Sequence, residues 1–240
     1  MLDAPPLQSA HGSPDGGTPH RRGRHAIPGL QRIEWRGPGA PHPSHAALVR
    51  LQRGSQLSRV PASRMLVSYV LRHSASGMAV RTSAGQACRL EPGAMLVCSG
   101  PELMLDRDAL RPGDCQAVDI LLPRLRNPGV FVHLGDYFPT FLNSAHGCVR
   151  LLMGSCDGHR ALLAPLDGFW LLDIDVAPGQ QLDIPVAACG AVGLLTTGTL
   201  VVDGQALEGT APFVPTRDGD AIHLVSESGA SVLLFPQGFL

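Results

Sequence analysis

The sequence predicts an all-β protein, an antiparallel sandwich or small barrel made of many short strands. Three observations carry that prediction. In the C-terminal third, apolar residues alternate with polar ones at the strand period of two. Nearly every such segment is bounded by Gly or Pro, and no convincing helix of about twelve or more residues interrupts the series. The 28 Gly and 21 Pro of the 240 residues suit a chain that turns this often.

Taken in order, Phe169-Trp170-Leu171-Leu172-Asp173-Ile174-Asp175-Val176 puts Trp170, Leu172, Ile174 and Val176 on one face and the two carboxylates on the other. Ala177-Pro178-Gly179 then turns the chain, Gln181-Leu182-Asp183-Ile184 is short and extended, and Ala191 to Leu195 is a brief apolar run. Thr199 to Leu207 reads as a tight hairpin, because Asp203-Gly204 between β-formers supplies the positive φ angles such a turn needs. Ala221-Ile222-His223-Leu224-Val225 and Ser231-Val232-Leu233-Leu234-Phe235 close the series as two more strands.

The order of these segments adds a resemblance. From Trp170 to Pro236 the succession Leu-Leu-Asp-Ile, Pro-Gly, Ile-Pro-Val, Gly-Thr-Leu-Val-Val-Asp-Gly, Ser-Val-Leu-Leu-Phe resembles the C-terminal cupin barrel of the pirin family. Upstream, Met65 to Leu71 looks like the strand after the pirin metal-binding His-Pro-His element. Glu91-Pro92-Gly93-Ala94-Met95 looks like its Pro-Gly turn, and Asp119 to Pro123 like the strand leaving the first barrel. His146 to Leu152 followed by Asp157-Gly158 is similar to the segment between barrels. The resemblance spans roughly residues 30 to 238. It implies two cupin-like antiparallel β-barrels with few short helices: an N-terminal barrel with a degenerate metal site at 28–125, an inter-barrel bridge at 126–168, and a C-terminal barrel at 169–240. Residues 1–27, rich in Pro, Gly, Ser and His, read from their composition as a loosely packed or disordered tail.

The same resemblance exposes a gap. Counting back from Tyr69, the family's two first-barrel histidines fall on Arg59 and Pro61, neither of which binds a metal; the second pair, a His and a Glu, falls on Asp106 and Asp108. Two carboxylates and a guanidinium suit no tight transition-metal site, whereas an Arg–carboxylate pair inside an otherwise apolar barrel is a familiar arrangement. No histidine lies between His73 and His133 to repair the set. The expectation is therefore no metal and no cofactor, with a first-barrel cavity lined by Arg59, Met65, Val67, Tyr69, Asp106 and Asp108.

Composition narrows the function classes. A net charge of −1 gives no footprint for nucleic acid or an anionic membrane. No apolar run is long enough to span a bilayer, and the polar, Pro-rich start has no secretion signal, so a cytoplasmic protein is expected. Six scattered cysteines, Cys88, Cys98, Cys115, Cys148, Cys156 and Cys189, without a Cys-x-x-Cys pair, read as reduced, mostly buried thiols; spacing alone leaves open whether Cys148 and Cys156 approach one another across a hairpin. Arg21-Arg22-Gly23-Arg24-His25 reads as a solvated flank, and His11, His20 and His25 as adventitious metal binders. His42 and His45 read as loop residues, His133 and His146 as interface hydrogen-bonders and His159 as an exposed turn residue; His223 points away from Ile222 and Leu224, toward either lumen or solvent. No Gly-x-Ser-x-Gly elbow and no Gly-rich phosphate loop occurs.

Three function classes follow. The first is a metal-free binding or regulatory module, a non-enzyme, that holds a small anionic or aromatic ligand or a protein partner in the old metal cavity or in the cleft between barrels. The second is a metal-dependent dioxygenase of the quercetinase kind. The third is a structural or oligomeric protein, its oligomeric state open.

Overall fold

The computed structural model describes residues 30–35, 45–51, 56–101, 103–111, 114–123, 129–133, 135–164, 168–185, 190–215 and 221–236. The 1–27 tail with its basic cluster and histidines, and His42 and Cys189, lie outside these residues. The first half contributes β1 (Leu30–Trp35), β2 (His45–Leu51), β3 (Gln56–Val60), β4 (Arg64–Val70), β5 (Met78–Thr82), β6 (Ala87–Leu90), β7 (Met95–Ser99), β8 (Leu103–Ala109), β9 (Cys115–Pro123) and β10 (Gly129–His133). The second half contributes β11 (Thr140–Ser144), β12 (Gly147–Cys156), β13 (His159–Arg160), β14 (Trp170–Val176), β15 (Gln180–Pro185), β16 (Ala191–Val202), β17 (Gln205–Glu208), β18 (Ala211–Phe213), β19 (Ala221–Ser226) and β20 (Ala230–Pro236). Among the described residues the one helical turn is the 3₁₀ segment Gly135–Tyr137, and no helix is long and apolar enough to cross a membrane.

All strand pairings are antiparallel, and they close two barrels. A six-stranded sheet, in the order β1-β2-β9-β4-β7-β10, faces a four-stranded sheet, β3-β8-β5-β6. The second barrel is one ten-stranded sheet whose main path runs β11-β12-β14-β20-β16-β19-β15. Residues 126–168, expected as an inter-barrel bridge, contribute strands to both barrels. Of these, β10 pairs with β7 of the first barrel, while β11, β12 and β13 belong to the second, because their backbone groups find partners there rather than in a linker.

Strand period decides which face each side chain takes. On β14, Trp170, Leu172, Ile174 and Val176 enter the second barrel's core, as their alternation predicts. On β4, Leu66 and Val70 enter the first barrel's core, where they meet Val49, Leu51, Met78, Leu90, Leu96 and Leu105. The opposite faces pack on each other. Met65, Val67 and Tyr69, with Met95, Val97, Val118 and Ile120, meet Leu152, Met153, Phe169, Leu171, Leu233 and Phe235 in a third apolar layer between the barrels. β4 and β9 are in this way buried on both faces, one toward the first barrel's core and one toward the second barrel.

The Asp203-Gly204 hairpin forms as read. Val202 pairs with Gln205, and both turn residues have positive φ, 51° and 75°, the signature of a two-residue primed turn. Asp157-Gly158 makes a second such turn between β12 and β13. Cys148 and Cys156 lie on the same strand, β12, about 26 Å apart at strand rise, so they do not meet across a hairpin.

Candidate functional site

The lumen of the first barrel holds a buried polar cluster. On β8, Leu103, Leu105 and Ala109 point inward, and Arg107 shares their face. Its Nη1 donates to both oxygens of Asp119 on β9, at 3.0 and 2.8 Å, and its Nη2 donates to Ser58 Oγ on β3 at 2.7 Å. Ser68 Oγ on β4 donates to Asp119 Oδ1 at 2.7 Å. Arg107 is 2% exposed and Asp119 8%. One guanidinium thus ties β3 and β8 of the four-stranded sheet to β4 and β9 of the six-stranded sheet, straight across the lumen.

The six residues expected to line that lumen do not. Arg59 is exposed on β3, opposite Met104. Met65, Val67 and Tyr69 face the second barrel. The turn at Pro61–Ser63 separates Arg59 from Met65 and puts them on different sheets, so a shared odd number does not mean a shared face. Asp106 and Asp108 lie half-buried on the outer face of β8, opposite Arg81 and Ala79 of β5. There they border a surface concavity of about 540 Å³ with Arg81, Cys88 and Arg89. The ion pair expected inside the barrel exists, but its members are Arg107 and Asp119. The signal was available: Arg107 alternates with Leu105 and Ala109, and Asp119 with Ala117, so each carries a charge at a core position.

A transition metal of the kind the family resemblance implies does not fit this lumen. Arg107 already places a fixed positive charge there, and the two oxygens of Asp119 accept three hydrogen bonds from Arg107 and Ser68. The other side-chain oxygens of this cluster, those of Ser58 and Ser68, are hydroxyls, poor ligands for iron, nickel or copper. Among the described residues no group of three or more His, Cys, Asp or Glu side chains comes together as metal donors would.

A second polar network joins the barrels at the edge of their apolar contact. Tyr69 Oη donates to Asp173 Oδ2 at 2.8 Å. Arg72, just beyond β4, reaches Asp173 with Nε at 3.2 Å and Asp175 with Nη2. From β12, Arg150 Nη2 lies 3.0 Å from Asp173 and 2.8 Å from Asp175, and Ser231 Oγ donates to Asp175 Oδ1 at 2.9 Å. Two guanidinium groups and two carboxylates compensate one another. Burial, followed by the neighbouring Asp173 charge, pushes the Tyr69 hydroxyl well above the usual tyrosine range, so it stays a hydrogen-bond donor. Phe138 packs edge-on to its ring, with centroids 6.5 Å apart. All nineteen cationic residues of the chain are arginines, so each of these pairs uses a planar fork rather than an ammonium.

The other singled-out residues have plain roles. His223 is exposed to solvent and lies 2.8 Å from Asp183, whose carboxyl the hydrogen bond holds low. His146 is exposed and lies 2.7 Å from Gln180 within the second barrel, rather than at the interface. His159 stacks on Phe141 with ring centroids 5.1 Å apart, and His45 opens β2 rather than sitting in a loop. Among the described residues five cysteines are free thiols. Burial pushes Cys98 up to about 12 and Cys115 to about 11, so both are inert.

Two cupin barrels packed face to face, with the second barrel's sheet against the first's, define a bicupin. Solved structures with this architecture match along most of the chain. Quercetin 2,3-dioxygenase from Acinetobacter baumannii superposes with a TM-score of 0.65 at 14% identity, over 87% of this chain and 84% of that one. The pirin YhhW from Escherichia coli, in complex with nickel(II), gives 0.64 at 15% identity, over 90% and 94%. GK1651 from Geobacillus kaustophilus gives 0.68 at 13%, over 93% and 100%. At these identities the likeness is one of fold. No family model matches the sequence, and no curated protein matches it.

Proposed function

We propose that this chain is a pirin-like bicupin that works as a binding or regulatory module without the metal chemistry of its structural neighbours. One observation carries the reading: Arg107, bonded to Asp119 and Ser58, stands in the first-barrel lumen as a resident cation. A divalent ion entering there meets like charge and engaged donors, and an O₂-activating metal has no open coordination position to use. Binding then falls to the ground between the barrels, beside Tyr69, Arg72, Arg150, Asp173 and Asp175, for a small molecule or a protein partner. The free thiols of the described residues support a reducing, cytoplasmic setting.

The test is metal retention. Protein with His11, His20 and His25 changed to Ala, incubated with Fe(II), Ni(II), Cu(II) or Zn(II) and desalted, is expected to carry far less than one metal per chain by elemental analysis. A stoichiometric transition metal overturns the proposal and returns the dioxygenase reading.

A further inference from the structure

We infer that the groove at the foot of the inter-barrel interface is a site for a small uncharged polyol, a sugar or sugar alcohol. The inference rests on reading the protein as a binding module. The groove is an open concavity of about 600 Å³, a volume within the usual range for small-molecule sites.

Its floor is a single cross-strand row on the ten-stranded sheet: Asn143, Cys148, Asp175, Ser231 and Thr197, from β11, β12, β14, β20 and β16. At the spacing of neighbouring strands the row spans about 19 Å. Cys148, Asp175 and Ser231 point away from the second barrel's core, because Val149, Ile174, Val176 and Val232 beside them point into it. One row further along the same face stand Arg150, Asp173 and Leu233, and Leu233, with Leu171 in the row beyond, meets the first barrel. The groove therefore begins where the apolar contact between barrels ends, and Arg72 of the first barrel reaches over its border to Asp175.

The chemistry of the lining selects the ligand. Among the described residues Asp175 is the one charged residue of the lining, and that carboxylate already accepts from Ser231, Arg150 and Arg72. An anion would find both guanidinium groups already paired with Asp173 and Asp175, and a cation would find the Asp175 carboxylate shared between them. Either would lose hydration without gaining a free counter-charge. What the floor and rim still offer is neutral: the Asn143 amide, the Thr197 hydroxyl and the Ser228 hydroxyl, the last shared with Thr199. Such groups both donate and accept, and so do the hydroxyls of a polyol. This departs from the anionic or aromatic ligand that Arg59 and a hollow first barrel would have favoured.

Saturation-transfer NMR on the full chain tests it, with myo-inositol and maltose as neutral probes and glucuronate and glucosamine as charged ones. Both neutral probes are expected to bind in the millimolar range. Asn143→Leu with Thr197→Val is expected to weaken them by about tenfold or more at unchanged melting temperature. Failure of both neutral probes, or neutral binding untouched by the double variant, overturns the inference. Glucuronate or glucosamine binding more tightly than the neutral probes, and lost in the double variant, overturns the ligand class while leaving the binding-module reading in place. Metal content of the same preparation reads that proposal separately.

Discussion

The Arg107–Asp119 pair makes the most direct prediction. Arg107→Met keeps much of the side-chain volume but deletes the guanidinium, leaving Asp119 with Ser68 as its one remaining side-chain donor and Ser58 without its donor. Two of the three lost bonds are between opposite charges, and each such bond contributes about 1.5–3 kcal/mol. The larger effect is the carboxylate left uncompensated in a site only 8% exposed, and removing one partner of a buried pair costs about 3–5 kcal/mol. For a chain of this length each kcal/mol moves the melting temperature by about 2–4 °C, which gives a drop of about 6–20 °C. Removing both charges with Arg107→Met and Asp119→Leu deletes the desolvated carboxylate as well, and is expected to return to within about 2 kcal/mol of the parent. Urea unfolding at pH 7, with the m-value checked for constancy, measures both variants. If Arg107→Met lies within about 1 kcal/mol of the parent, or the double variant is as unstable as the single one, the pair is not what ties the two sheets together.

Three further outcomes are expected. Tyr69→Phe removes one hydrogen bond to a buried carboxylate and should lower stability by about 1.5–3 kcal/mol, read in the same urea titration. Cys98 and Cys115 have folded values raised above the ordinary 9.0, so the stability they contribute is intact below pH 9 and is lost as pH rises toward about 11 and 12. The slope is about 1.4 kcal/mol per pH unit for each thiol, and a profile that stays flat above pH 9, or a slope that survives Cys98→Ala with Cys115→Ala, contradicts the burial of these groups. Gly204→Ala meets no neighbouring atom and pays only for its positive φ, about 1–2 kcal/mol, whereas Gly154→Ala drives a Cβ into the Phe169 carbonyl and should be the more damaging by thermal melt.

How much of this was legible in the sequence follows from what strand period can and cannot decide. Where a segment has a clear apolar face, the side each residue takes is local information. Trp170 to Val176, the Asp203-Gly204 turn and Ile222 with Leu224 all fold as their alternation demands. On β4 the alternation is silent, because Met65 to Val70 is buried on both faces and nothing local tells lumen from barrel contact. That choice is made by the second barrel, which lies more than a hundred residues away at Asp173.

The metal gap shows the same limit in its sharpest form. Counting along the chain put Asp106 and Asp108 in the lumen, but the count crosses a strand end and a turn, and an error of one position exchanges the faces of β8. The residues that matter are then the ones in between. Leu103, Leu105 and Ala109 form the apolar face of β8, so the position they enclose is a core position, and it is occupied by Arg107. A charged residue there is tolerable only with a buried counter-charge, and the odd face of β9, Cys115, Ala117 and Asp119, offers one carboxylate among small groups. Physical constraint within each strand, applied before any count between strands, leads to the pair that the structure shows.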